Sequence, residues 1–239
     1  MLKSDGRTAG RPPEWQVLVD AQGRSGEENM AADERLLNDA VDSGRAFLRL
    51  YRWDPPTLSI GRNQAIDAIA HRGVPVVRRP TGGRAVWHEH EVTYAVTAPI
   101  ATFGSLRKAY REIHTRLAAA LRSLGIDAVL AEDRPAVRPS DRPASCFAMS
   151  VGGEILANHR KLVGSAQVRR RDAFLQHGSI LLDGTQPSAQ HGATTLAAVL
   201  KRPVSFEEVA DAIVNTWSDF RPSGRQAVRP SDIASLAAR

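Results

Sequence analysis

From Val74 to Thr97 the chain carries three closely spaced strand-like runs with no helical pattern between them: Val74–Arg79, Arg84–Glu89 and Val92–Thr97. The first two flank Thr81-Gly82-Gly83, a turn signal. Strands joined this tightly exclude a helix crossover at each connection, so an all-parallel sheet is ruled out. The same pattern recurs elsewhere. Ala46–Trp53 and Thr57–Ile60 read as a strand pair around Asp54-Pro55-Pro56, and Lys161–Val168 with Phe174–Leu182 as a hairpin around Arg169-Arg170-Arg171-Asp172. Trp15–Asp20, Ile126–Leu130, Ser145–Ser150 and Glu154–Leu156 add shorter strands.

Helical periodicity is confined to three segments. Glu27–Ser43 places Met30, Leu37 and Val41 on one face and ends at Gly44; Leu106–Leu124 repeats Leu106, Tyr110, Ile113, Leu117 and Leu121 and ends at Gly125. Phe206–Phe220 opens with Ser205 and Glu208, a capping-box pattern. Runs of strands with few helices predict an α+β fold: a mixed, largely antiparallel sheet with helices on one face. A single domain over residues 14–222 is expected, with a flexible leader at 1–13 and a mobile tail at 223–239.

The sequence contains no run of apolar residues long enough to cross a membrane and no apolar stretch near its start of signal-peptide type. One cysteine, Cys146, excludes an internal disulfide and fits a reducing cytoplasm. Net charge is +6, which favours acidic partners. Aromatic residues are only 5%, with no base-stacking array, so nucleic acid is an unfavourable partner for that charge.

Five stretches could carry chemistry. In Arg78-Arg79-Pro80-Thr81-Gly82-Gly83-Arg84, glycines admit close approach of a ligand and arginines offer bidentate recognition of phosphate or carboxylate; an ordinary hairpin turn with solvated arginines is the plain alternative. His88 and His90 alternate onto one face, yet no further ligand cluster completes a metal site, so none is expected. Lys161-Leu162-Val163-Gly164-Ser165 sets a lysine before small residues, either facing a pocket or solvent. Gln176-His177-Gly178-Ser179 could approach a ligand or hold a structural histidine. Cys146-Phe147 ends an arginine-rich segment, Glu132–Ala144, in which cations would favour a thiolate.

Taken in order, these stretches resemble one family, the biotin/lipoate ligase and lipoyl transferase superfamily. RRPTGGRAVWHEHEVTYAV resembles its arginine-glycine signature, KLVGSAQVRRRDAFLQHGSILL its lysine and histidine-glycine-serine signature, and NMAADERLL its first helix. The likeness runs from about Trp15 to Asp183. Fifteen residues separate Cys146 from Lys161, as in the cysteine-dependent octanoyltransferase branch. That resemblance implies a fold of the biotin/lipoate ligase catalytic-domain type. It implies that Cys146 carries an octanoyl thioester, that Lys161 lowers the thiol pKa, and that Arg78, Arg79, Thr81, Gly82, Gly83, Arg84, His88, Gly164, Ser165, His177 and Gly178 surround the acyl group.

The donor implied is octanoyl-acyl carrier protein. The acceptor is a lysine of a lipoyl domain or of glycine cleavage H protein. Both are typically acidic, which suits a basic surface around Arg138, Arg142 and Arg169–Arg171. No cofactor is then needed. The alternative within the family is an ATP- and Mg²⁺-dependent lipoate–protein ligase acting through lipoyl-AMP, suggested by Gly61-Arg62-Asn63-Gln64. Outside catalysis stands an acyl- or nucleic-acid-binding module.

Overall fold

The computed structural model describes residues 15–65, 73–132, 153–184 and 192–217, together with the backbone of 222–227. Within them a large mixed sheet forms the core. Its strands are β1 (Trp15–Arg24), β2 (Ala46–Trp53), β6 (Glu91–Pro99), β7 (Ala128–Leu130), β8 (Ile155–Ala157), β9 (Arg160–Arg170), β10 (Ala173–Leu181) and β11 (Pro222–Ala227). The order across the sheet is β11-β1-β2-β6-β10-β9-β8-β7. β1 runs parallel to β11 and β2; every other neighbouring pair is antiparallel. Pro222 is in register with Trp15 and Ala227 with Val19, so the sheet extends into the 223–239 stretch expected to be a mobile tail. Residues 1–13, Ser145–Ser150 and 228–239 lie outside the described residues.

A second sheet, β4-β3-β5, is built from β3 (Thr57–Ile60), β4 (Val76–Arg78) and β5 (Val86–His88). This corrects two expectations. Ala46–Trp53 and Thr57–Ile60 match β2 and β3 residue for residue, but they do not pair: the Asp54-Pro55-Pro56 segment carries the chain from one sheet to the other. Nor do β4 and β5 form a hairpin. Each pairs with β3, β4 parallel and β5 antiparallel, so the Thr81-Gly82-Gly83 segment crosses the end of β3. Periodicity reports which residues form strands; it does not report which strands pair.

The helices lie on both faces, not one. α2 (Leu106–Ser123) and α4 (Phe206–Thr216) pack on the face that presents Leu48, Leu50, Val92, Val96 and Phe174. α1 (Gly26–Ser43) packs on the opposite face, where Met30 and Leu37 meet Tyr51, Ala95 and Leu175. Alternation along β2 sends successive side chains to the two layers. A short helix, α3 (Leu196–Leu200), precedes α4. The α1 layer matters for function, because the small sheet lies on the same side: Val77 of β4 packs with the α1 cluster.

α1 is fixed at both ends. Ser25 Oγ accepts from the Glu28 amide, and the Glu28 carboxylate accepts from the Ser25 amide at 3.0 Å, a reciprocal capping box. Gly44 closes the helix at φ 71°, in the left-handed region. The expected Ser205–Glu208 pairing opens α4. Ser205 accepts from the Glu208 amide, and the Glu208 carboxylate is also held by Arg202. Ser25→Ala should therefore cost about 1 kcal/mol, while Glu208→Ala should cost less, since its exposed ion pair contributes little. Urea denaturation of the two variants checks the ranking.

Candidate active site

The Arg78–Arg84 segment is shaped by its own arginines. Arg78 Nη1 donates to the carbonyls of Gly61, Arg62 and Gln64 at 2.9, 3.0 and 2.8 Å. Arg79 is buried. It donates to Gly82 O at 2.9 Å, Arg84 O at 2.6 Å and Ser59 Oγ at 3.1 Å. The bidentate anion recognition expected of these guanidinium groups is here directed at main-chain oxygens of the turn. Gly83 adopts φ +92°, and a Cβ on Gly61 would stand 2.2 Å from Gly83 O, so both glycines are required by the crossing. A Cβ on Gly82 would meet nothing within 4 Å. Neither φ nor packing against the described residues explains that glycine.

Two carboxylate–histidine–hydroxyl chains tie this turn to the core. In the first, Asp33 Oδ2 accepts from His177 Nδ1 at 3.0 Å, and His177 Nε2 lies 2.7 Å from Thr81 Oγ1. A carboxylate only accepts, so Nδ1 carries the proton and Nε2 accepts from the Thr81 hydroxyl. Asp33 is held in turn by Arg49 Nη1 at 3.0 Å and Tyr51 OH at 2.9 Å. In the second chain, Glu91 Oε1 accepts from His88 Nδ1 at 2.6 Å, and His88 Nε2 faces Ser59 Oγ at 2.7 Å. Ser59 then meets Arg79, which reaches Gly82. Trp53 stacks on the His88 ring at 3.9 Å between centroids.

Between the small sheet and β6, β10 and β9 lies a narrow cleft with about 30 Å³ of free space, well below the volume of a whole small-molecule site. Met30, Tyr51, Trp53 and Val86 supply an apolar wall. Six sequence-predicted residues line it together: Arg79, His88, Gly164, Ser165, His177 and Gly178. Thr81 joins through its bond to His177, and Gly82, Gly83 and Arg84 lie on the adjoining turn. Gly178 has a packing reason as well, since a Cβ there would meet Gly164 O at 2.4 Å. His90, paired with His88 by alternation, is exposed beyond the end of β5 and contacts Glu89 instead. No cluster of three metal-ligating side chains occurs among the described residues.

Lys161 enters β9 with its ammonium buried and donating to Glu154 Oε1 at 2.6 Å. Glu154 sits where the chain re-enters the sheet. Ala131 N donates to Glu154 O at 2.7 Å and Gly153 N to Ala131 O at 2.8 Å. His114 Nδ1 donates to Gly153 O at 2.5 Å. The other side of the His114 ring, Nε2, lies 2.8 Å from the cleft residue Ser165 Oγ and 3.1 Å from Tyr94 OH. A polar chain thus links the cleft to Ala131 and Gly153, which flank in sequence the stretch 133–152 that includes Cys146. Cys146, Arg138 and Arg142 lie outside the described residues.

Burial decides the protonation of these groups. It pushes the His114 imidazole down to about 4, with the Lys161 charge acting in the same direction. Burial also lowers His177, against the opposing pull of Asp33. Tyr94 and Tyr51 are pushed well up, first by burial. Both histidines are therefore neutral at pH 7.

Sequence reasoning missed Asp33, Arg49, Glu91, Ser59, Tyr94, His114 and Glu154. One signal was available. Asp33 falls between Met30 and Leu37 on the apolar stripe of α1, where a charge demands a buried partner.

A model of the lipoyl protein ligase A/B catalytic domain matches residues 25–218. The chain belongs to that family. Octanoyltransferase LipM of Kyrpidia tusciae is 41% identical over 227 residues, covering 88% of this chain and 78% of that protein. LipM of Symbiobacterium thermophilum is 37% identical over 231 residues, covering 83% of each chain. Among solved structures, lipoate-protein ligase A bound with ATP matches with a TM-score of 0.72 and 22% identity, over 94% of this chain and 93% of that one. A bi-partite lipoate protein ligase from Thermoplasma acidophilum, solved in a study of that enzyme and its E2 lipoyl domain, matches with a TM-score of 0.68 and 20% identity, over 95% and 91%. These structures share the fold, a mixed sheet flanked by helices.

Two outcomes follow. Thr81→Val strands the His177 Nε2 acceptor and should cost about 1–3 kcal/mol, whereas Thr81→Ser keeps the hydroxyl and most of the stability; chemical denaturation separates them. The second concerns pH. Because the His114 imidazole titrates near 4 when folded and near 6.5 when unfolded, the unfolded state binds the proton first as pH falls. The stability His114 contributes is intact above pH 6.5 and is lost progressively down to about pH 4, by roughly 3 kcal/mol at most. In His114→Gln, the fall in urea midpoint across that window should be shallower than in the parent.

Proposed function

We propose that this chain is an octanoyltransferase of protein lipoylation, working in the cytoplasm without a cofactor. The observation that carries the proposal is the 41% identity to a LipM octanoyltransferase over 88% of the chain. The cleft supports it: an apolar wall suits an acyl chain, each buried methylene contributing about 0.8 kcal/mol.

In the first step the Cys146 thiolate attacks the carbonyl carbon of octanoyl-acyl carrier protein. The new C–S bond forms, and the carrier's thiolate leaves with the electron pair of the bond that breaks. In the second step the neutral ε-amine of an acceptor lysine, on a lipoyl domain or glycine cleavage H protein, attacks the Cys146 thioester. An amide forms, Cys146 leaves as thiolate, and the amine's proton passes to that thiolate or to water. Lys161 supplies the positive charge that favours thiolate over thiol, with Glu154 holding that ammonium in place. Thioester exchange is close to neutral and amide formation drives the sequence, so ATP is not consumed.

The ligase reading rests on the shared fold with lipoate-protein ligase A. Intact-mass spectrometry separates the two. With octanoyl-carrier protein and no ATP, a hydroxylamine-sensitive octanoyl adduct should appear, and Cys146→Ala should lose both the adduct and transfer to the acceptor. Full activity of Cys146→Ala with free lipoate, ATP and Mg²⁺ would establish ligation instead.

A further inference from the structure

The outer flank of α2 is basic where it meets the turn between β9 and β10. Arg107, Lys108 and Arg111 are exposed on α2, and Arg169 and Arg171 are exposed at the turn. The two groups adjoin, because Gln167 Nε2 donates to Leu106 O at 3.2 Å and Ile100 N donates to Asp172 O at 2.7 Å. Among the described residues of these two segments there are two acids. Glu112 is held by Arg116 at 2.9 Å, which leaves Asp172 as the exposed acid at the turn itself. Half-buried Phe103 lines a depression together with Lys108, Arg111, Arg116 and Glu112, which sets an aromatic ring among mostly basic side chains. Such a combination suits a protein partner better than a bare polyanion.

The corner is also well placed. On a helix of about 3.6 residues per turn, Arg107 and Arg111 share a flank with Tyr110 and His114. That flank abuts Gly153: His114 donates to its carbonyl, and the Tyr110 ring lies 3.2 Å from where a Gly153 Cβ would stand. The charge therefore borders Gly153, which flanks in sequence the stretch containing Cys146. Along β9, Arg169 is four residues from the cleft residue Ser165, or roughly 13 Å at the rise of a strand.

Resting on the octanoyltransfer reading, we propose that this corner docks an acidic face of the carrier protein that delivers the acyl thioester. Distance selects the donor over the acceptor. A donor thioester travels at the end of a long prosthetic arm, so its carrier body must dock well away from the reacting carbon. An acceptor lysine reaches only the length of its own side chain, so its protein must sit at the mouth of the cleft.

The test compares two octanoyl donors: the acyl carrier protein thioester, and octanoyl-N-acetylcysteamine, which has no protein to dock. The variant Arg107→Glu/Lys108→Glu/Arg111→Glu should raise KM for the carrier donor at least tenfold at low salt with kcat nearly unchanged. Its acylation by the small thioester should match the parent. The parent's KM for the carrier donor should climb with ionic strength, and the variant's should not. Arg169→Glu, on the separate turn, should reproduce the shift in smaller measure, which guards against local damage to α2. An unchanged KM for the carrier donor overturns the proposal. So does a rise confined to the acceptor's KM, or equal losses with both donors in both variants. Failure of the octanoyltransfer reading looks different: the parent itself would form no adduct from either donor.

Discussion

The Asp33 carboxylate is the constraint on which the site depends. It lies fully buried between α1 and the main sheet, and it accepts from Arg49, Tyr51 and His177 at once. A buried carboxylate so placed must be paired or lose its charge. Arg49 is buried beside it, with its guanidinium 3.9 Å from the Tyr51 ring centre and donating to Asn29 Oδ1 at 2.7 Å. Once this cluster is satisfied, the His177 tautomer is set, and with it the hydrogen bond that reaches Thr81. The charge on one helix residue thus orients a turn contributed by a different sheet.

Glu91 repeats the arrangement at the other side of the cleft through His88 and Ser59. Two attachments fix the crossing segment at separate points, Thr81 directly and Gly82 through Arg79. The polar bonds are consumed in holding the wall, and Met30, Tyr51, Trp53 and Val86 are left to face whatever enters. That division of labour suits an acyl chain, which offers no polar handle along its length.

Much of this was readable in the chain. Strand positions followed from alternation, and β2 and β3 agree with the periodicity at every residue. The turn residues and the His177-Gly178 and Lys161 segments were identified because their glycine and charge patterns are unusual for plain strands. What escaped was pairing and direction. Arg79 looked like an anion receptor because sequence shows the guanidinium but not the carbonyls of Gly82 and Arg84 around it. The β1–α1–β2 parallel unit was hidden because a half-buried strand alternates the same way whichever neighbour it takes. Asp33, Glu91 and His114 escaped for a related reason: each is defined by a partner remote in sequence, at separations that no local window spans.

The close approach of Gly61 to Gly83 has a consequence for how such proteins diverge. No side chain can be added at position 61 unless the crossing segment retreats, and that segment forms the rim of the cleft. The two positions therefore behave as a single heritable unit: a lineage that enlarges one must redraw the other, and a change in the outline of the cleft can begin at a residue that does not line it.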